Sequence, residues 1–220
     1  MNSSVSAYAN KSDSELVSFI GDGNDLAFAE LVSRHTDRFF ALAFRTLRSQ
    51  GDAEDVVQAA FIKFWQRPHL CNPDKAKFTT WFYRVVINAC HDLQRQASRQ
   101  LILQASFAEQ SNVCVDSELT SIEHRQTADW RRKTVEAGIR ALPASQQDAL
   151  NLVVYSEIAQ REAAEILGVS LKALESTLHR AKKNLHNHVE KMALSKSNPP
   201  SKTQNRNTKL RKTLVYDERY

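Results

Sequence analysis

An all-α chain of two small helical bodies is the fold class the sequence predicts, and three observations predict it. Glycine and proline are scarce, five of each in 220 residues, and strand-like runs are few. Apolar residues instead recur at three- and four-residue steps, the spacing of one helix face. That periodicity fades over residues 100–128 and again after 192, which leaves two helical blocks, 12–99 and 129–192, joined by a flexible linker.

The elements follow in order. Residues 1–11 are polar and expected to be loose, and a short helix is expected over about Ser12–Ile20. Phe28, Leu31, Val32, His35, Phe39, Leu42, Ala43 and Leu47 trace one face of a long helix that Gly51 is expected to break. Asp52 suits the cap of the next helix, with Glu54 and Asp55 in a first turn where the helix dipole favours negative charge. Val56, Ala60, Phe61, Phe64 and Trp65 supply its apolar side. Pro68 and Pro73 bracket a loop ending near Lys77. A fourth helix is expected over about Thr79–Ser98, with Trp81, Phe82, Val85, Ala89 and Leu93 facing inward. Four helices in roughly 90 residues exceed the size at which a single core becomes marginal.

Residues 100–129 hold five acids (Glu109, Asp116, Glu118, Glu123, Asp129) against Arg125, a balance of −4, and are rich in Ser, Gln and Asn. A stretch of that length is long for a loop inside a compact domain, so 100–128 reads as an acidic linker. Beyond it, Trp130, Val135, Ile139 and Leu142 suit a helix ending before Pro143. Ser145 suits the cap of a helix carrying Leu150, Val153 and Val154. The tail, 193–220, is basic and rich in Pro, Ser, Asn and Lys, a composition that predicts disorder.

Charge is informative only when located. The net charge is +5, and Ser195–Tyr220 alone contributes +5; the remainder carries 23 residues of each sign. A nucleic-acid role therefore has to rest on local clustering. No apolar run approaches the ~20 residues of a membrane span, and Met1–Asn10 lacks a signal-peptide pattern. Cys71, Cys90 and Cys114 are far apart and match neither a CxxC pair nor a zinc spacing. Reduced thiols, a cytoplasmic location, no membrane insertion, no metal and no cofactor are the expectations.

The most informative window is Ala164–Ala181. Gly168 suits the left-handed end of one helix and Ser170 the cap of the next. Leu171, Leu174, Leu178, Ala181 and Leu185 form the expected buried stripe of that second helix. Its other face carries Lys172, Glu175, Ser176, His179, Arg180 and Lys183, all able to hydrogen-bond bases or phosphates. This is the pattern of a helix-turn-helix with a recognition helix for the DNA major groove, or of an ordinary helical hairpin with a solvated outer face.

Two further segments, Asp52–Trp65 (DAEDVVQAAFIKFW) and Phe78–Arg95 (FTTWFYRVVINACHDLQR), separate those readings. Together with the helix-turn-helix, in that order, they resemble bacterial sigma factors of the extracytoplasmic-function type, over about Ser12–Arg99 and Asp129–Lys191. The resemblance implies a region 2-like domain at 12–99, which binds core RNA polymerase and the −10 element. It implies a region 4-like domain at 129–192, which binds the −35 element. The first segment is similar to the helix that docks on a coiled coil of the polymerase largest subunit. There Asp52, Glu54, Asp55 and Gln58 are offered to a basic partner, with Val57 and Phe61 as apolar anchors. The family usually has an acid where this chain has Ala59.

The second segment resembles the promoter-opening helix, and the loop before it, about Leu70–Lys77, the one that selects a flipped base. Unpaired bases need flat faces to stack on, polar groups for their edges and cations for phosphates. Phe78, Thr80, Tyr83, Arg84, Asn88, Asp92, Arg95 and Arg99 are the candidates; Trp81 and Phe82 read better as core. Phe78–Arg99 holds three Arg against one acid. For the −35 element the candidates are Ser170, Lys172, Ala173, Glu175, Ser176, His179, Arg180 and Lys183. Glu175 and Thr177 replace cations usual in the family; Glu175 can accept from a cytosine amino group or pair with a nearby Lys. The resemblance also implies an anti-sigma partner, and a linker that threads the polymerase cleft.

Two other functions compete. A free-standing helix-turn-helix regulator would dimerise over paired half-sites, yet no dimerisation heptads or ligand pocket are apparent. An enzyme would need a catalytic constellation, and adjacent His91 and Asp92 point about 100° apart on a helix.

Overall fold

The computed structural model describes residues 8–72, 76–107 and 126–197, and side-chain surroundings for 8–72, 76–100 and 130–194. Eight α-helices carry the described residues: α1 (Asp13–Gly21), α2 (Asp25–Leu47), α3 (Gln50–Gln66), α4 (Phe78–Phe107), α5 (Gln126–Arg140), α6 (Ala144–Leu150), α7 (Gln160–Leu167) and α8 (Leu171–Ser197). They fall into two clusters, α1–α4 and α5–α8. Residues 1–7, Pro73, most of the acidic linker with Cys114, and the tail from 198 lie outside the described residues.

Local chemistry sets the helix ends. Ser12 caps α1 in a reciprocal box with Glu15; the backbone N–H of Ser12 heads the contacts that hold the Glu15 carboxyl down at about 2. Asn24 caps α2 through the N–H of Ala27. The break after α2 is not at Gly51. Arg48 takes the left-handed conformation (φ 61°), and Ser49 accepts from the N–H of Asp52. Gly51 is thus inside α3, and Asp52 sits in its first turn rather than at its cap. Ser145 does not cap α6 either: Pro143 precedes the helix, and Gln147 turns back to donate to the carbonyls of Arg140 and Leu142. The chain then widens into a π-turn over Asn151–Tyr155 before α7.

The expected end of α4 near Ser98 moves out to Phe107, and α5 begins at Gln126, so both ends of the predicted linker are helical. Fading apolar periodicity marks the loss of a buried face, not the loss of a helix: Asp92 and Gln94–Gln100 are exposed while still helical.

Aromatic rings fill the first core. Phe39 lies at the centre, 4.5 Å from Phe82, 5.0 Å from Tyr83 and 6.2 Å from Phe61 by ring centroid. Phe78 joins Phe64 and Phe82 at 5.2 and 5.1 Å. Buried His35 (α2) meets Asp13 (α1) at 2.7 Å, and this hydrogen bond leads the causes that lower the Asp13 carboxyl below its ordinary value. In the second cluster Leu174, Leu178 and Ala181 of α8 are buried. Gly138 lets α8 close on α5: a Cβ there would stand 2.6 Å from Leu185 Cδ1. Leu171, expected in the buried stripe, is 38% exposed, and Leu185 is half-buried.

Candidate functional site

Three surfaces collect the predicted residues. The first lies on α2 and α3. Asp52, Glu54, Asp55 and Gln58 are exposed there at helical spacing, as the sequence predicts. Val57 and Phe61 are not free anchors; at 3% and 5% exposure they belong mainly to the core, because α3 turns that side against α2. They form instead the floor of a groove of about 490 Å³, walled by Phe28, Val32, Phe40, Glu54, Gln58 and Ile62. Exposed Ile62, with exposed Phe44 and Leu26 on α2, went unnamed in the sequence reading. Three large apolar side chains left on adjoining helices were the available signal.

The second surface is on α4. Phe78, Thr80 and Tyr83 are buried, against the expectation that they face bases. Phe78 is held by the aromatic core, while Thr80 is covered by Glu162, whose Oε1 accepts its hydroxyl at 2.9 Å. Arg84, Asn88, Asp92, Arg95 and Arg99 are exposed. Arg84 nevertheless donates to the carbonyl of Ile166 at 3.1 Å and to that of Glu165. Arg95 pairs with Asp92 at 2.6 Å, both largely in solvent, so the pair is weak. A second groove brings Asp52, Asp55 and Lys63 of α3 together with Asn88 and Asp92 of α4. Three carboxylates against one ammonium repel phosphate, which favours base edges over backbone at Asn88.

The third surface is on α8. α7 ends at Gly168 (φ 67°), and Ser170 accepts from the N–H of Ala173 at 3.2 Å to start α8, as predicted. Ser170, Lys172, Ala173, Glu175, Ser176, His179, Arg180 and Lys183 are all exposed. Arg180 Nε donates to the Ser176 carbonyl at 3.3 Å. Every side chain placed on the outer face by spacing is there, because burial of Leu174, Leu178 and Ala181 fixes the rotation of the helix.

The chain is similar to known proteins along most of its length. Residues 31–100 match the family model for Sigma-70 region 2, and residues 132–185 that for Sigma-70, region 4. The RNA polymerase sigma factor CnrH of Cupriavidus metallidurans is 30% identical over 79% of this chain and 92% of its own. The chain belongs to the extracytoplasmic-function sigma factors. The sigma-E factor of Escherichia coli K12 is 29% identical over 81% of this sigma factor and 94% of its own length. SigW of Bacillus subtilis is 25% identical over 76% and 91%. Among solved structures, CnrH in complex with the cytosolic domain of CnrY superposes with a TM-score of 0.60 at 25% identity, covering 81% of this chain and 97% of that one. RpoE in complex with the anti-sigma factor NepR from Bartonella quintana shares the fold, with a TM-score of 0.56 at 18% identity over 74% and 96%.

This sigma factor is thus a transcription initiation factor and not an enzyme. It binds core RNA polymerase and recognises promoters. The free-standing regulator gives way to that assignment. His91 is no catalytic base paired with Asp92: it faces Asp148 of α6 at 3.1 Å.

Proposed function

We propose a division of labour among the three surfaces. The α2–α3 surface docks on core polymerase: Asp52, Glu54, Asp55 and Gln58 supply charge and hydrogen bonds, and the groove over Val57 and Phe61, with Ile62, supplies the apolar anchor. The α4 surface handles the −10 element. Arg84, Arg95 and Arg99 meet phosphates, Asn88 and Asp92 meet base edges, and Phe78, Thr80 and Tyr83 support that face from beneath. The α7–α8 unit acts as a helix-turn-helix on the −35 element, with Ser170, Lys172, Ala173, Glu175, Ser176, His179, Arg180 and Lys183 toward DNA. We assign 12–99 and 129–192 as the two domains, 100–128 as the linker and 193–220 as a tail, and the protein to the cytoplasm. Among the described residues no helix is long and apolar enough to cross a membrane.

The observation that carries this reading is the outer face of α8, where every predicted contact residue is exposed while Leu174, Leu178 and Ala181 on the inner side are buried. An anti-sigma protein as partner follows from the resemblance and from relatives of the same fold solved with bound partners. Run-off transcription with core polymerase and genomic DNA tests the function, and alignment of the start sites reveals both promoter elements. Absence of discrete starts with a folded, uninhibited protein overturns it.

A further inference from the structure

Glu175 is the one acid among the residues assigned to the −35 element, where Lys172, His179, Arg180 and Lys183 carry the basic groups. It is exposed, in the second turn of α8. Residues three and four apart are neighbours on a helix surface, so Lys172 and His179 both stand beside it. Among the described residues neither holds it, and no other ion pair or hydrogen bond takes up its carboxylate. Farther along the same helix such a pair does form: His186 meets Glu190 at 3.1 Å. Thr177, the other residue standing where the family has a cation, is satisfied within the helix. It is half-buried, and its hydroxyl donates to the Ala173 carbonyl at 2.9 Å. Of the two departures only Glu175 leaves a polar group for a partner.

An ionised carboxylate accepts hydrogen bonds and donates none. DNA phosphates repel it. In the major groove guanine presents N7 and O6, both acceptors, and thymine presents O4 and a methyl group; only the amino groups of cytosine and adenine donate. Beside the adenine amino group stands N7, an acceptor that opposes the second carboxylate oxygen. The corresponding neighbour on cytosine is a C–H, so cytosine suits a carboxylate best. We propose that Glu175 makes the −35 reading cytosine-selective: its carboxylate accepts from the amino group of one cytosine in the major groove. The inference rests on the assignment of the outer face of α8 to the −35 element and deepens it by naming a base. Bringing a carboxylate between phosphates is offset only where that donor is present, so Glu175 rejects other bases as well as binding cytosine. Lys172, Arg180 and Lys183 on the same helix supply the sequence-independent attraction to the backbone.

The test uses the holoenzyme, full chain with core polymerase, on promoter fragments from its genomic start sites, randomised across the −35 element. Bound fragments are sequenced for the natural chain, Glu175→Ala and Glu175→Gln. Both variants alter an exposed side chain, so the fold should hold, and thermal unfolding checks it. The natural chain is expected to favour cytosine about tenfold at one position. Glu175→Ala should lose that preference and keep the rest of the element. Glu175→Gln should move the preference to adenine, whose N6 and N7 an amide can meet together. A −35 element in which Glu175→Ala removes no cytosine preference overturns the proposal and leaves the sigma-factor reading intact. A uniform gain in affinity across the library for Glu175→Ala does the same, being the mark of a carboxylate that only repels phosphate. No discrete start sites, or no base preference at any randomised position, overturns the −35 assignment of α8 and this proposal with it.

Discussion

Arg84 and Ile166 stand 82 positions apart, yet Arg84 Nε donates to the Ile166 carbonyl at 3.1 Å. The Gly168 N–H reaches back to the carbonyls of Ala164 and Glu165 at the end of α7. Arg84 adds a cation at the same helix end, where a positive charge is favoured. One side chain thus serves two exclusive partners, a helix terminus within the chain and, in the proposed role, a DNA phosphate outside it.

Arg84→Ala should therefore have opposite effects on two measurements. Scattering should show a more open chain, since two cross-body hydrogen bonds are lost. Promoter binding by the holoenzyme should weaken, with the slope of log affinity against log salt reduced by about one contact. An unchanged slope would remove Arg84 from the phosphate contacts.

The contact of α4 with α6 should also respond to pH. The hydrogen bond that His91 donates to the Asp148 carboxylate raises the His91 pKa above its ordinary 6.5; burial opposes the shift, the Asp148 charge and Asp92 support it, and Arg95 opposes it. For a raised histidine pKa the sign is fixed. Its contribution to that contact is fully present below 6.5 and is lost as pH rises through the raised value. The fraction of chains with the contact made should fall across that window in the natural chain and lose its histidine-dependent step in Asp148→Asn, measured by scattering or paired fluorescent labels.

Legibility in the sequence divides along physical lines. The helices of both bodies were readable because burial imposes a period, and Leu174, Leu178 and Ala181 behave as their spacing requires. Ser170 and Gly168 were readable because cap and left-handed turn chemistry is local. Three things were not. Arg48, a residue with no special left-handed preference, ends α2 ahead of the glycine that signalled a break. Tyr83 resembles a stacking platform until Phe39 is known to lie 5.0 Å away. The contact of α4 with α7 joins polar residues some eighty positions apart, for which a sequence has no periodicity.

At the surface proposed to dock on polymerase, added positive charge should separate docking from stability. Asp55→Lys and Gln58→Arg replace exposed side chains, so each should change stability by no more than about 0.5 kcal/mol. Each should weaken association with core polymerase by ~1–3 kcal/mol if it lies near the centre of the interface. Ile62→Glu should do the same by placing a carboxylate at the rim of the apolar groove. Fluorescence titration of core enzyme beside thermal unfolding checks both halves.

The first body stands on an interlocked set of rings and one buried polar pair, and the two should fail differently. Phe39 is fully buried and touches rings from α2, α3 and α4. Phe39→Ala should cost ~3–5 kcal/mol at any pH, since it removes packing and leaves a cavity. Asp13→Asn loses the charged partner of His35, and its effect should depend on pH. The Asp13 carboxyl is held below its ordinary 3.8, first by its hydrogen bond to His35, then by the His35 charge and by Arg34, against burial. A depressed carboxylate stabilises above the unfolded value and loses that contribution as pH falls through the folded one. The natural chain should therefore exceed Asp13→Asn by about 1 kcal/mol near neutrality, with the gap closing in acid. Urea unfolding at several pH values measures it, and a gap that stayed constant into acid would show that Asp13 acts by shape alone.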